Sequence, residues 1–233
     1  MNTNIKFLLI ALGITVISVL FTGMLLNGTF ETFDNVINDF LTSIRTPFVE
    51  QMMIAITALG GTKVSFILTV AAIGTLLYKK RFYLNFLLIN AMGGGVIITY
   101  IIKKAVARER IAETAYMNIW GFFTDRISYS YPSGHSVKAL LFFAIIAYFI
   151  YLEVDDKKLK GLGIFIASLT TLLIGLGQVI LERHYITDVI GGFLIALAWV
   201  ALCIAFTGPL IRWVWDKFSL NFKRSIEKLV SLW

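Results

Sequence analysis

Two histidines are present in the chain, His135 and His184, and each stands among residues suited to phosphate chemistry. His184 precedes Asp188 by four positions. On a helix, or the turn that opens one, that spacing brings the two side chains together. A carboxylate against an imidazole fixes its tautomer and favours the imidazolium, and it leaves the other ring nitrogen free to act as nucleophile or base. A satisfied polar pair at a membrane interface has the same spacing. His135 ends the run Tyr131-Pro132-Ser133-Gly134-His135. Proline suits a helix start, serine an N-cap, and glycine a close approach of backbone to ligand. Helix capping alone accounts for those three; a histidine directly after them shifts the balance towards a functional site. A third group, Lys103, Lys104, Arg108, Arg110 and Arg126, concentrates positive charge in one segment. Histidines at helix starts together with a set of cations suit an anionic, phosphate-bearing ligand.

The elements that must position these groups are membrane helices. Of 233 residues, 58% are hydrophobic and 15% charged, with a mean hydropathy of +0.81. A soluble domain carries about a quarter charged residues. The formal charge of +7 would raise nucleic acid in a soluble protein; here the cations flank apolar runs, so no nucleic-acid partner is expected. The single cysteine, Cys203, excludes a disulfide framework. Because lipid cannot satisfy backbone polar groups, long apolar runs are read as helices. Six spans are expected: Phe7–Leu26, Thr62–Tyr78, Phe82–Ile102, about Ser136–Leu152, Leu159–Leu181 and about Thr187–Phe206. Phe33–Ile44 is expected as an interfacial helix, and Phe48–Leu59 as a lead into the second span across Gly60-Gly61. The tail from Arg212, with Trp213 and Trp215, is expected to lie at the interface as well. Gly93-Gly94-Gly95 and Gly191-Gly192 are read as sites of close helix packing. The predicted fold class is thus all-α and polytopic, with six transmembrane helices, short interfacial helices and a single domain over 1–233.

Loop charge sets the expected orientation in a cell membrane. With both termini cytoplasmic, Lys79-Lys80-Arg81, the group Lys157, Lys158 and Lys160, and the basic tail all fall inside. The first outside loop carries Glu31, Asp34, Asp39 and Glu50 against Arg45 alone. The segment Lys103 to Arg126 breaks the rule, since it is basic and falls outside. Snorkelling at a helix end explains Lys103 and Lys104. An anionic ligand at that face explains the whole group. His135 and His184 each open a helix running inward from that face, where free N–H groups and the positive end of the helix dipole also favour an anion.

These motifs resemble those of the type 2 phosphatidic acid phosphatase (PAP2) superfamily, which are Lys-x6-Arg-Pro, Pro-Ser-Gly-His and Ser-Arg-x5-His-x3-Asp. The second is intact at Pro132–His135. The first matches in Lys103 and Arg110, with Ile111 in place of proline. The third matches in His184 and Asp188, with Gly177 and Gln178 at the Ser-Arg positions. The resemblance implies a lipid phosphatase that works without metal or other cofactor through a phosphohistidine. In it His184 is the nucleophile, Asp188 its orienting carboxylate and His135 the acid. Lys103, Arg110, Ser133, Gly134 and Gln178 bind the phosphate. The implied partners are membrane lipids and a lipid phosphate substrate: phosphatidic acid, phosphatidylglycerol phosphate or polyprenyl pyrophosphate. Gln178 brings no charge where the family has arginine, and charge-assisted bonds are about twice as strong as neutral ones. Arg183 and Arg108 are candidates to restore that charge. The departures at Gly177 and Gln178 also motivate an alternative, a non-catalytic binder or transporter of lipid phosphate; a lipid phosphotransferase is a further one.

Overall fold

The computed structural model describes residues 3–111, 116–119, 122–127 and 129–230, with backbone only for 3, 116–119, 122–127 and 212–230. The side chains of Arg126, Trp213 and Trp215 therefore lie outside the described residues. Helix α1 spans Thr3–Leu26, α2 Glu31–Ser43, α3 Pro47–Ala58, α4 Thr62–Tyr78 and α5 Phe82–Val106. After an antiparallel hairpin, β1 Tyr116–Ile119 and β2 Phe122–Ile127, come α6 Gly134–Glu153, α7 Lys157–Ile180 and α8 Ile186–Val230. The fold class is all-α, as expected, with this one short strand pair added to the helices. The pair occupies the polar segment between α5 and α6, where no helical apolar period exists to be read.

Among the described residues five helices are long and apolar enough to cross a bilayer: α1, α5, α6, α7 and the part of α8 up to Ile211. The pair α3 and α4 passes the same test jointly, bent by 45°. The bend falls at Leu59-Gly60-Gly61. A Cβ at Gly60 would stand 2.9 Å from Ile174 Cγ2 and 3.0 Å from the His135 carbonyl oxygen, so the elbow is pressed against α6 and α7. Helix starts follow ordinary capping chemistry. Thr46 accepts from Val49 N at 3.2 Å ahead of Pro47. Asp156 accepts from Lys158 N and Leu159 N at 2.9 and 2.8 Å. The tail beyond Arg212 is not a separate element: α8 runs 45 residues, past Pro209, without a break. At 1.5 Å per residue that is roughly 67 Å, about twice the hydrocarbon thickness, so α8 extends well out of the apolar layer.

The core lies where α5, α6 and α8 meet, on Leu87, Leu88, Leu141, Ile145 and Ala196. Lipid offers helices no hydrophobic drive to associate, so close van der Waals fit and small residues decide the packing. A Cβ at Gly95 would lie 2.1 Å from Leu141 Cδ1, and one at Gly94 2.2 Å from the Trp199 ring; Gly93 faces open space. The Trp199 indole N–H donates to the carbonyls of Asn90 and Ala91. Two of the three glycines therefore bring α8 and α6 against α5. That contact fixes the two helices whose starts carry the histidines.

Candidate active site

Helix α6 starts at Ser133, whose side chain is buried and accepts from Ser136 N at 3.4 Å and Ser136 Oγ at 2.9 Å. The Ser133 oxygen is thus engaged in capping. Gly134 is different: a Cβ there would meet nothing within 4 Å, so its backbone is open to a ligand. The Ser133 amide donates to the Asp188 carbonyl at 3.0 Å, which ties the start of α6 to the start of α8. Gly192 allows this approach, since a Cβ there would lie 3.1 Å from the Ser133 carbonyl. Gly191 admits the Tyr131 ring, whose atoms would come within 2.3 Å of a Cβ.

His184 is buried, and its Nδ1 lies 3.3 Å from Asp188 Oδ2. Oδ2 also accepts from Tyr185 N at 3.0 Å and, in a very short hydrogen bond, from Ser130 Oγ. Ser130 Oγ stands 3.4 Å from His184 Nδ1. With Nδ1 turned to the carboxylate, the ring carries its reactive lone pair on Nε2. The sequence suggested that Asp188 would favour the imidazolium. The structure corrects this. Burial outweighs the hydrogen bond and charge of Asp188, while Lys103 and Arg110 repel a further proton, and His184 is pushed down to about 4. The ring is therefore neutral near pH 7, the form with a free electron pair.

The other oxygen of Asp188 is held from a distance. Arg108 Nη1 donates to Asp188 Oδ1 at 2.7 Å and to Thr187 Oγ1 at 2.8 Å, and Arg108 Nη2 donates to Asp34 Oδ2 at 2.7 Å. Asp34, on α2, is 1% exposed and also accepts from Thr187 N at 3.0 Å and Thr187 Oγ1 at 2.7 Å. Asn38, one turn on, accepts from Ile186 N at 3.1 Å. Helix α2 thus caps α8 in trans. Burial disfavours the Arg108 charge, but Asp188 and Asp34 together raise its pKa, and its guanidinium stacks 4.1 Å from the Tyr185 ring centre. Arg108 is consequently committed to carboxylates and does not replace the arginine missing at Gln178. Sequence reading had counted Asp34 only as a loop charge; its place in an amphipathic helix was the available signal.

Lys103 Nζ donates to the Ser130 carbonyl at 3.1 Å and, in a very short bond, to that of Tyr129. An ammonium has three donors, so one remains for a phosphate oxygen. Arg110 is half-buried; burial lowers its pKa, Asp188 opposes this and Arg183 adds to it. Lys104 lies 5.7 Å over the Tyr129 ring and belongs to the loop rather than to the histidines. Arg183 is exposed on the turn before His184. That turn is shaped by Glu182, at φ +54, whose carboxylate takes Arg45 Nη1 at 2.6 Å.

Gln178 is 1% exposed, and neither side-chain amide atom has a partner among the described residues. Its backbone carbonyl accepts from Arg183 N and His184 N, so it lies directly under the turn that carries His184. Gly177 has a packing reason. A Cβ there would stand 2.5 Å from Thr57 Cγ2 and 3.2 Å from Met53 Sδ, so α3 occupies the space a serine would need. His135 faces the elbow between α3 and α4, its Nε2 lying 3.8 Å from where a Cβ of Gly61 would be. The cations acting on His135 include Lys138, Arg183 and Arg110. Lys138, one turn after His135, was not among the residues singled out in the sequence.

An apolar groove of about 580 Å³ opens between α1, α5 and α8, lined by Ile98, Ile102, Val106, Ile195 and Leu202 among others. Its wall includes Thr22, whose hydroxyl shares a 2.8 Å hydrogen bond with Tyr131 OH.

Comparison with known proteins agrees with this geometry. Residues 82–212 match the family model described as the PAP2 superfamily. The chain is similar to phosphatidylglycerophosphatase B of Bacillus subtilis (strain 168), 29% identical over 171 residues that cover 72% of this chain and 79% of the relative. The fold is that of the transmembrane PAP2-type phosphatidylglycerolphosphate phosphatase from Bacillus subtilis. The TM-score there is 0.73 at 24% identity, over 85% of this chain and 96% of that one. LpxE of Aquifex aeolicus is also similar, with a TM-score of 0.55 at 19% identity, over 72% of this chain and 92% of that one.

Proposed function

The chain belongs to the PAP2 superfamily, and from that membership we propose that it is a multi-pass membrane lipid phosphatase acting through a phosphohistidine formed on His184. One observation carries the reading: a buried, neutral imidazole is fixed through Nδ1 by Asp188, beside a second helix start that presents His135.

In the proposed reaction His184 Nε2 attacks phosphorus as the bond to the lipid oxygen breaks. Asp188 stabilises the charge that develops on the ring. His135 gives its proton to the leaving oxygen and then takes one from the water that cleaves the phosphoenzyme. The third donor of Lys103, Arg110, the open Gly134 amide and the unpartnered Gln178 amide hold the phosphoryl oxygens. Ser133 contributes by fixing Gly134 at the head of α6. Positive side chains supply the charge stabilisation, so the reaction needs no metal. The lipid tail lies along the membrane side of the site, where the groove between α1, α5 and α8 begins. With α3 and α4 read as one bent span, six crossings leave both termini on one side, and the loop charges favour the cytoplasm for them and the outer face for the histidines. The bacterial relative named for phosphatidylglycerophosphate supports an anionic glycerolipid as one substrate; phosphatidic acid and a polyprenyl pyrophosphate are the others to test.

The experiment is phosphate release by purified protein from these lipids in the presence of a chelator. The wild type is expected to turn over and to yield an acid-labile phosphohistidine after rapid quenching, and His184→Ala to do neither. Phosphate release by His184→Ala at the wild-type rate would end the proposal. Binding without turnover would favour the non-catalytic reading, and a phosphorylated lipid acceptor would favour the phosphotransferase.

A further inference from the structure

Resting on the phosphatase reading, we propose that Lys138 is a specificity-determining cation on the leaving-group side of the site, selecting lipids whose leaving group itself carries a phosphate. Each of the two helix starts has cations near its histidine. Lys103 and Arg110 act on the His184 ring. Lys138 stands three residues after His135, on the same face of α6. The elbow between α3 and α4 joins Lys138 to His135. Gly61 sits over His135 Nε2, and the adjacent Thr62 accepts from Lys138 Nζ at 2.9 Å. Among the described residues Lys138 pairs with no carboxylate, although it is half-buried. A partly desolvated ammonium held only by a hydroxyl retains two donors for an anion.

The chemistry of His135 says which anion. If His135 protonates the leaving oxygen, a charge beside it meets the leaving group rather than the transferred phosphoryl. With a lipid diphosphate, the His184 Nε2–P bond forms as the bond from the terminal phosphorus to the bridging oxygen breaks. The bridging oxygen departs on the lipid monophosphate and takes the His135 proton, and Lys138 pairs with that monophosphate. Water then cleaves the N–P bond, releasing orthophosphate and returning a proton to His135. With phosphatidylglycerol phosphate the second phosphate is a diester separated from the leaving oxygen by the glycerol carbons. Phosphatidic acid offers no second phosphate. Both of the first two share the required chemistry, and a long lysine stem can reach either.

The test is kcat/KM of the full-length protein in detergent for a prenyl diphosphate, phosphatidylglycerol phosphate and phosphatidic acid, for wild type, Lys138→Met, Lys138→Gln and Lys138→Arg. Loss of one charged hydrogen bond corresponds to about 10- to 100-fold. Lys138→Met and Lys138→Gln are expected to reduce the ratio of diphosphate, diester-bearing lipid, or both, to phosphatidic acid by that factor, and Lys138→Arg to restore it. The substrate whose ratio falls more is the better match. Because Lys138→Gln keeps a donor to Thr62 without the charge, a ratio that falls in Met but not in Gln overturns the proposal. So does a ratio unchanged in both, which leaves the phosphatase reading standing. A wild type that releases phosphate from none of the three overturns both.

Discussion

Arg108 Nη1 grips Asp188 Oδ1 at 2.7 Å, the carboxylate oxygen turned away from His184. With Oδ2 engaged by His184, Ser130 and Tyr185 N, both edges of the carboxylate are fixed. Asp188→Asn keeps the shape but removes the charge and presents an amide that can reverse the ring tautomer. By analogy with the same change in a serine-protease triad, kcat is expected to fall about 10⁴-fold with KM changed little. Single-turnover phosphoenzyme formation checks it; an unchanged rate would show that Asp188 only anchors α8.

Asp34 and Arg108 act mainly through structure. Asp34→Asn retains one acceptor for the Thr187 amide and loses a charged hydrogen bond, an expected loss of about 1.5–3 kcal/mol. Arg108→Gln strands two buried carboxylates, for which about 3–5 kcal/mol is expected. Thermal unfolding in detergent should rank the two in that order. The reverse ranking would mean that the contacts of Asp34 with Thr187 matter more than its pairing with Arg108.

Gln178 gives a prediction of opposite signs. Buried amide atoms without partners weaken a fold, so Gln178→Leu should unfold at the same temperature as wild type or higher. It should also raise KM for the lipid phosphate by about tenfold, the worth of one hydrogen bond of roughly 1.4 kcal/mol. Inhibition by orthophosphate provides a second readout. A variant that loses stability and keeps its affinity would place the amide outside the phosphate pocket.

Gly177→Ser would return the family's serine to a space already filled by Thr57 and Met53. Overpacking of this kind costs about 1–3 kcal/mol. The paired change Thr57→Ser removes the Cγ2 atom that a Cβ would meet at 2.5 Å, and it should recover most of the loss. Additive losses in the double variant would locate the strain elsewhere.

For pH, the unfolded chain protonates a histidine below about 6.5, whereas folded His184 holds its neutral form down to about 4. The unfolded state therefore binds the extra proton across that interval. Stability from His184 is complete above about 6.5 and declines as pH falls through 4. The same value puts the acid limb of kcat/KM due to the free nucleophile near 4. Histidine ring NMR shifts in micelles would follow it directly. An inflection at 6.5 would show that water reaches the ring.

The helices were legible because lipid imposes a simple rule: apolar length reads as a span. The local pair His184 and Asp188 was legible for the same reason, since helical spacing alone joins them. Asp34 was not, because its partners Arg108 and Thr187 belong to distant segments and only packing of α2 across α8 unites them. Lys138 escaped notice because it sits in an apolar helix, and its significance comes from the elbow at Gly61 and Thr62. The tail from Arg212 is helical, as read, but continuous with α8: charge marks where the apolar run ends, and the hydrogen-bonded backbone does not stop there. The hairpin left no trace because its strands, Tyr116–Ile119 and Phe122–Ile127, are too short for an alternating pattern to stand out.

The trans cap from α2 also fixes an order of events. During synthesis Asp34 and Arg108 exist long before Thr187 and Asp188 emerge, and no arrangement of the earlier helices can supply those last partners. The carboxylate beside His184 and the hydroxyl and amide that Asp34 holds all belong to α8, so the site is complete only with α8 docked against α2.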